Sequence, residues 1–267
     1  MYTKAMSDNE QLSQFDAWFQ ETYDRYTKNL TFKELRKANQ SLSDIYVHKR
    51  DKSLPAGKAL ETEGKRAAFA TVFSAFHWLM MDHLIDELEL DRCKLHRIIE
   101  LGCGTGVCGA AWALRATSLA GPAEMTGIDI NRWALSEAQK TWRFLGLKGK
   151  TKLRSMVEFP KIEQQDAILA AYSVNELPDG PRKELLRNLR RAHHRGATIL
   201  ILENVARSPV PWWDSWATQI KELGGREDTW QCRPNLPQPL ALIDKASGRD
   251  HSVLKARTLY LQPKGTS

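Results

Sequence analysis

Apolar positions along the chain follow one rhythm up to about residue 90 and another from residue 96 onward. In the first part they recur at helical spacing. Leu12, Phe15, Trp18 and Phe19 mark one face of a helix over 8–28. Thr31 starts a second helix that runs to about residue 48, with Glu34 at capping-box spacing. Residues 48–58 hold Pro55, Gly57 and several charges and read as a loop. Residues 59–90 form a long, strongly apolar helical region containing Phe69, Phe73, Phe76, Trp78, Leu79 and Leu84. From residue 96, short apolar runs alternate with helical stretches, the pattern of a parallel sheet with helices on both faces. Strands are expected at 97–101, 125–129, 151–155, 166–172, 197–203, 227–233 and 255–262, and helices at 105–119, 132–145, 180–194 and 211–223. The expected organisation is a helical N-terminal extension over 1–92 and an α/β domain over 93–267.

The first of these strands carries the sharpest chemistry. Ile98-Ile99-Glu100-Leu101-Gly102-Cys103-Gly104-Thr105-Gly106 is a buried strand that ends in an acid, breaks into a glycine-rich turn and leads into a helix. Such a turn cradles a nucleotide cofactor. Gly104-Thr105-Gly106-Val107-Cys108-Gly109 also fits the dinucleotide pattern G-x-G-x-x-G, which is weak when it stands alone. Glu100 argues against a dinucleotide, because a carboxylate at the strand tip would repel a pyrophosphate by roughly 1–4 kcal/mol at ~4 Å. It suits the cationic tail of S-adenosylmethionine, which has no phosphate. A second strand, Met125-Thr126-Gly127-Ile128-Asp129-Ile130, again ends in an acid. Asp129 lies 23 residues after Gly106 (129 less 106), close to the ~20-residue spacing at which an acid reaches ribose hydroxyls.

Glu-x-Gly-x-Gly-x-Gly at Glu100, Gly102, Gly104 and Gly106 resembles the first motif of the class I S-adenosylmethionine-dependent methyltransferases. The resemblance covers about residues 96–262. It implies a Rossmann-like seven-stranded sheet with helices on both faces, closed by an antiparallel pair at 227–233 and 255–262. It also implies methyl transfer from S-adenosylmethionine, with a ribose-binding acid at Asp129. Cofactor contacts are expected from Arg66, Glu100, Gly102, Cys103, Gly104, Gly106, Asp129, Ile130, Ser155, Met156, Tyr172 and Ser173. Many relatives carry an acid after the third strand to hold the adenine amino group, where this chain offers Ser155. Trp133 suits either a place against the adenine or the core.

The substrate side falls to Tyr172-Ser173-Val174-Asn175-Glu176-Leu177-Pro178, after the fourth strand. The Asn/Asp-Pro-Pro-aromatic motif of adenine-N6 enzymes is absent from it, as is the cysteine that a cytosine-C5 enzyme needs. Asn175 and Glu176 are the candidates to orient or deprotonate an acceptor; a polar helix start is the alternative. Methyl transfer rests mainly on alignment, so the lack of a Ser-His-Asp or metal constellation does not count against an enzyme.

Composition adds less. The net charge of +7 suggests an anionic partner or a basic solvated surface. Arg187, Arg190, Arg191, His193, His194 and Arg195 form a basic run at an expected helix end, where the helix dipole favours cations and where a phosphate-contacting patch would also fit. Trp212, Trp213 and Trp216 suit stacking or helix packing, and His77 suits the core. The polar N-terminus reads as neither signal nor transit peptide, and no apolar run is expected to reach the ~18–20 residues of a membrane span. Cys93, Cys103, Cys108 and Cys232 show no Cys-x-x-Cys spacing, so no metal site or disulfide framework is expected and a cytoplasmic setting is the simplest.

A narrower resemblance joins Gly64-Lys65-Arg66-Ala67-Ala68-Phe69, the segment 172–178 and Ile201-Leu202-Glu203-Asn204. Together these are similar to a bacterial branch of a methyltransferase-like family tied to small-ribosomal-subunit assembly, which implies association with ribosomal RNA. The cysteine clusters of its mitochondrial members are missing; only Cys232 remains near Cys232-Arg233-Pro234. The expected function is therefore an S-adenosylmethionine-dependent methyltransferase acting on RNA or a ribosomal component. The alternatives are a methyltransferase of a small metabolite or natural product, and a non-catalytic ribosome assembly factor that only binds the cofactor.

Overall fold

The computed structural model of the chain describes residues 8–48, 58–116, 121–205 and 211–263. Residues 49–57 of the expected loop and 117–119 of an expected helix lie outside them. The helices are α1 (Asp8–Thr27), α2 (Phe32–His48), α3 (Glu63–Ala68), α4 (Ser74–Glu87), α5 (Val107–Arg115), α6 (Arg132–Phe144), α7 (Asp179–His194), α8 (Trp213–Glu222) and α9 (Gln238–Ala246). The strands are β1 (Arg97–Leu101), β2 (Glu124–Asp129), β3 (Gly149–Leu153), β4 (Asp166–Ala171), β5 (Thr198–Glu203), β6 (Arg226–Cys232) and β7 (Leu254–Leu261). Two compact units result: residues 1–80 with 232–254, and residues 81–231 with 255–267. This division uses two stretches of chain for each unit, whereas the sequence suggested a single boundary at 92/93.

The first unit is helical. Trp18 of α1 stacks on Trp78 at 5.1 Å between ring centroids, with Phe15 at 5.7 Å from Trp78. The capping box forms as expected: the Thr31 N–H donates to Glu34 Oε2 at 2.8 Å, and the Glu34 N–H to Thr31 Oγ1 at 3.3 Å. Between α3 and α4 the helix widens into a π-helical turn, Phe69–Phe73. Hydroxyls bond back along it: Thr71 Oγ1, inside the turn, donates to the Ala67 carbonyl at 2.7 Å, and Ser74 Oγ, just after it, to the Phe69 carbonyl at 2.9 Å. The helix α9 has no counterpart among the expected elements, and Pro237 and Pro239 stand at its start. Pro239 falls in the first turn, where a missing N–H costs nothing. Asn39 Nδ2 ties α2 to the end of α9, donating to Ser247 Oγ at 3.0 Å.

One expectation is corrected. The continuous helical stretch Glu63–Glu87 has 25 residues and is long and apolar enough to cross a membrane by length and composition. Its charges lie at its ends, which is why the apolar core reaches span length. In the structure 72% of that apolar window is buried, as in a packed core helix.

The second unit is built on a seven-stranded sheet of order β3-β2-β1-β4-β5-β7-β6, in which β1 to β5 run parallel and β7 runs antiparallel to β5. Its central strands are near-continuous apolar runs because both faces are covered. On one face Ile99, Leu101, Ile128, Ile168 and Ile199 join Leu185 and Leu189 of α7 and Trp213 and Trp216 of α8 in a single core. The other face takes α5 and α6, and its packing centres on Trp142. This indole is 1% exposed, and its Nε1–H donates to the Gly106 carbonyl at 2.9 Å. A Cβ at Gly106, Gly127 or Gly149 would lie 2.6–2.7 Å from an atom of this one ring. Three glycines from the turn, β2 and β3 thus make room for it.

Replacing Trp142 with alanine should lower unfolding free energy by about 3–5 kcal/mol in urea denaturation followed by circular dichroism. A loss under about 1 kcal/mol would remove the ring from this central role.

Candidate functional site: a glycine turn between paired strand-end acids

The chain leaves β1 through three residues in the left-handed region: Gly102, Gly104 and Gly106, with φ of 63°, 52° and 72°. At Gly102 space is limiting as well. A Cβ there would lie 2.5 Å from the Ser173 Cβ and 2.9 Å from the Met156 methyl. The turn after β1, the segment after β3 and the end of β4 therefore converge at Gly102. Ser173 Oγ locks the junction, donating to the Leu101 carbonyl at 2.7 Å. This is the point where the strand order reverses, at β1 beside β4, and open α/β sheets bind ligands in the crevice there.

Asp129 ends β2 and ties the turn down. Its Oδ2 accepts from the Gly104 N–H at 2.9 Å and its Oδ1 from the Asn131 N–H at 2.8 Å. Burial raises the pKa of this carboxyl, and the amide donors of Asn131, Gly104 and Ile130 oppose the rise. Three amide donors leave one of the four lone pairs, so a ribose hydroxyl can still be accepted. Asn131 caps α6, its Oδ1 accepting from the Trp133 and Ala134 amides at 3.0 and 3.2 Å. Ile130 stands 51% exposed next to it.

Glu100 is 3% exposed. Its carboxyl meets the backbone N–H of Gly109 in the first turn of α5, where the helix dipole favours negative charge. A Cβ at Gly109 would lie 2.6 Å from Glu100 Oε2, so the glycine that completes the dinucleotide-like pattern makes room for this acid. Burial, reinforced by the nearby Asp129 charge, pushes the Glu100 carboxyl up to about 8. Its Oε2 has no hydrogen-bond partner within the protein.

The remaining candidates divide. Cys103 is buried, and its N–H donates to the Ile128 carbonyl at 3.0 Å; burial and then the charges of Asp129 and Glu100 push its thiol up. Ser155 is half-buried, with Oγ accepting from the Val157 amide at 3.5 Å. Tyr172 adopts a left-handed φ of 56° while its N–H holds the Leu202 carbonyl at 2.8 Å. Arg66 lies in α3 of the helical unit, where its Nε donates to the Leu60 carbonyl at 2.8 Å. Glu176 is exposed.

Asn175 is held on both sides. Its Nδ2 donates to Glu203 Oε2 at 2.8 Å, and its Oδ1 accepts from Trp212 Nε1 at 2.8 Å. Glu203 is fully buried at the end of β5. Sequence reasoning gave neither Glu203 nor Trp142 a role at this site. The available signal was that Glu203 repeats the form of Glu100 and Asp129, an acid closing an apolar strand. Trp212, Trp213 and Trp216 are packed in the core, and His77 is kept neutral by burial, its pKa lowered to about 3.

Together the turn, Asp129 and the orphaned Glu100 oxygen can take a ligand with a ribose and a cationic tail. They also set a pH dependence. Between the ordinary carboxylate value of 4.5 and about 8, folded Glu100 keeps a proton that the unfolded chain has released, so stability falls as pH rises through that window. Glu100→Gln should flatten the decline in denaturation midpoint measured from about pH 5 to about pH 8. An unchanged slope would mean that Glu100 is ionised in the fold.

Residues 98–196 match the sequence profile of a family described as a methyltransferase domain. No curated protein matches the chain. Among solved structures, similarity extends to the plantazolicin methyltransferase BpumL in complex with S-adenosylhomocysteine, at 14% identity and a TM-score of 0.48, over 86% of this chain and 98% of that one. N-methyltransferase NodS from Bradyrhizobium japonicum is similar at 16% identity and a TM-score of 0.47, over 69% and 87%. Magnesium protoporphyrin IX methyltransferase from Synechocystis is similar at 12% and 0.45, over 97% and 100%. Likeness this distant says nothing of the acceptor. The matched stretch takes in the glycine turn, Asp129 and the segment after β4, so residues 98–196 form a methyltransferase domain.

Proposed function

We propose that this methyltransferase acts on RNA or a ribosomal component. The observation that carries the reading is the exposed basic surface of α7: Arg187, Arg190, Arg191 and Arg195 all face solvent, on a chain of net charge +7. The helix dipole favours cations only in the last turn, and Arg187 and Arg190 lie before it. His193, part of the same run, is buried and serves packing instead.

Bound S-adenosylmethionine supplies a methyl carbon already activated by its sulfonium. The chain's own residues have the tasks of binding and alignment. Asp129 would hold the ribose, the turn at Gly102 and Gly104 would admit the tail, and Glu100 would offer its unpartnered oxygen to the ammonium. Asn175 acts through position: clamped between Glu203 and Trp212, it fixes the turn after β4. Glu176, exposed next to it, would take the acceptor's proton where one must be lost.

Incubating the full chain with methyl-labelled S-adenosylmethionine and separated pools of RNA, ribosomal protein and small metabolites should put label into RNA or ribosomal material. Label only in the metabolite pool would overturn the reading. Binding of S-adenosylhomocysteine without label in any pool would make the chain a binding factor. Asp129→Asn keeps one acceptor for the turn and should weaken S-adenosylhomocysteine in calorimetry by about 1–3 kcal/mol. Unchanged affinity would take Asp129 out of the ribose role.

A further inference from the structure

The strand β3 lies at the edge of the sheet, and its side chains divide by face. Thr151 points toward α6, accepting from Gln139 Nε2 at 2.8 Å, and Gly149 underlies Trp142. Lys150 and Lys152 alternate with these and project from the opposite face. Register confirms the face: Lys152 pairs with Ile128, which belongs to the core under α7 and α8. Lys150 pairs with Thr126, Thr126 with Ile99, and two residues before Ile99 stands Arg97. These cations feel one another. The Lys152 ammonium is lowered from its ordinary value, first by partial desolvation and then by Arg154, Lys150 and Arg97.

The row continues around the sheet. The Arg97 guanidinium, paired with Asp166, also donates to the Lys161 carbonyl at 2.9 Å. Lys161 borders a cleft of about 420 Å³ whose other cations are Arg191 of α7 and Arg195 just past its end, with half-buried Phe159 in its wall. Among the described residues, Lys150, Lys152, Arg154, Lys161, Arg191 and Arg195 form no ion pair. The other end of the row reaches the cofactor turn, since the Arg154 N–H donates to the Asp129 carbonyl at 3.1 Å.

We propose that this strip, from the amino-end cleft along β3 to Asp129, is a track for the phosphate backbone of single-stranded RNA that leads the strand to the cofactor turn. The inference rests on the RNA reading above and gives it a place. A line of unpaired cations matches a regular line of phosphates, and Phe159 offers a ring for base stacking. A protein partner fits worse, because lysines are depleted from the centres of protein interfaces. So does a membrane surface, because the β3 side chains on this face are cations without an apolar stripe.

The test is fluorescence anisotropy of a labelled single-stranded RNA of about 20 nucleotides, titrated with the full chain across a salt series. The triple variant Lys150→Gln, Lys152→Gln, Lys161→Gln should bind at least tenfold more weakly. Its slope of log K against log salt should be smaller by about 2, from three lost contacts at ~0.7 each. A control carrying Lys28→Gln, Lys33→Gln and Lys37→Gln, exposed cations of the helical unit, should stay within twofold of the parent. RNA should also protect Lys150 and Lys152 of the parent protein from acetylation, a readout that does not depend on a variant folding. Equal losses in both variants, no loss in the first, or pelleting with phosphatidylserine vesicles without RNA binding would each overturn the track. Calorimetry with S-adenosylhomocysteine separates the two readings: binding of that ligand without RNA ends the track alone, and binding of RNA without it ends the cofactor reading.

Discussion

The Trp142 indole is the contact on which the catalytic-type unit is organised. A single ring is laid against the glycine turn, β2 and β3, and in each place the chain gives up a side chain to receive it. The energetic logic is that of close packing: a buried tryptophan contributes several kcal/mol only if nothing else competes for its volume. The hydrogen bond from Nε1 to Gly106 adds direction to that burial. It sets α6 relative to the turn, and with α6 it sets Asn131, Asp129 and the amide of Gly104. A glycine pattern usually read as room for a ligand is here, at Gly106, Gly127 and Gly149, also room for the protein's own core.

The two acids beside the turn show how location divides similar residues. Glu100, next to last in β1, and Asp129, last in β2, both have raised pKa values through burial. Asp129 is supplied with backbone donors on both oxygens, whereas Glu100 meets one amide and leaves an oxygen without a partner. The first is already held by the backbone. The second is a site whose charge state depends on what arrives, since a cation placed against it would favour release of its proton.

Much of this was legible in the chain. The seven strands stand within a few residues of their expected positions, because buried parallel strands are short apolar runs bounded by turn residues. The acid-glycine turn and the acid closing the second strand were visible from spacing alone. What escaped was non-local or irregular. The hold on Asn175 was not legible, because its partners, Glu203 and Trp212, lie 28 and 37 residues away. The direction of Glu100, inward to Gly109, depends on helix placement that spacing does not encode. The π-helical turn at Phe69–Phe73 arises inside an unbroken apolar stretch, and α9 starts amid prolines that locally argue for loop.

The strand order has a consequence for how the chain is made. β7 follows β6 in the sequence yet lies between β5 and β6. During synthesis β5 emerges with one edge unpaired and cannot be completed by the next strand produced. The slot next to Ile199, Leu200 and Ile201 stays open until residues 254–261 leave the ribosome, after the whole of 232–254 has been added to the helical unit. For that interval an apolar strand edge is exposed, the kind of surface on which nascent chains pair wrongly and chaperones act. Assembly of this sheet is therefore closed from its end, and the last strand acts as its latch.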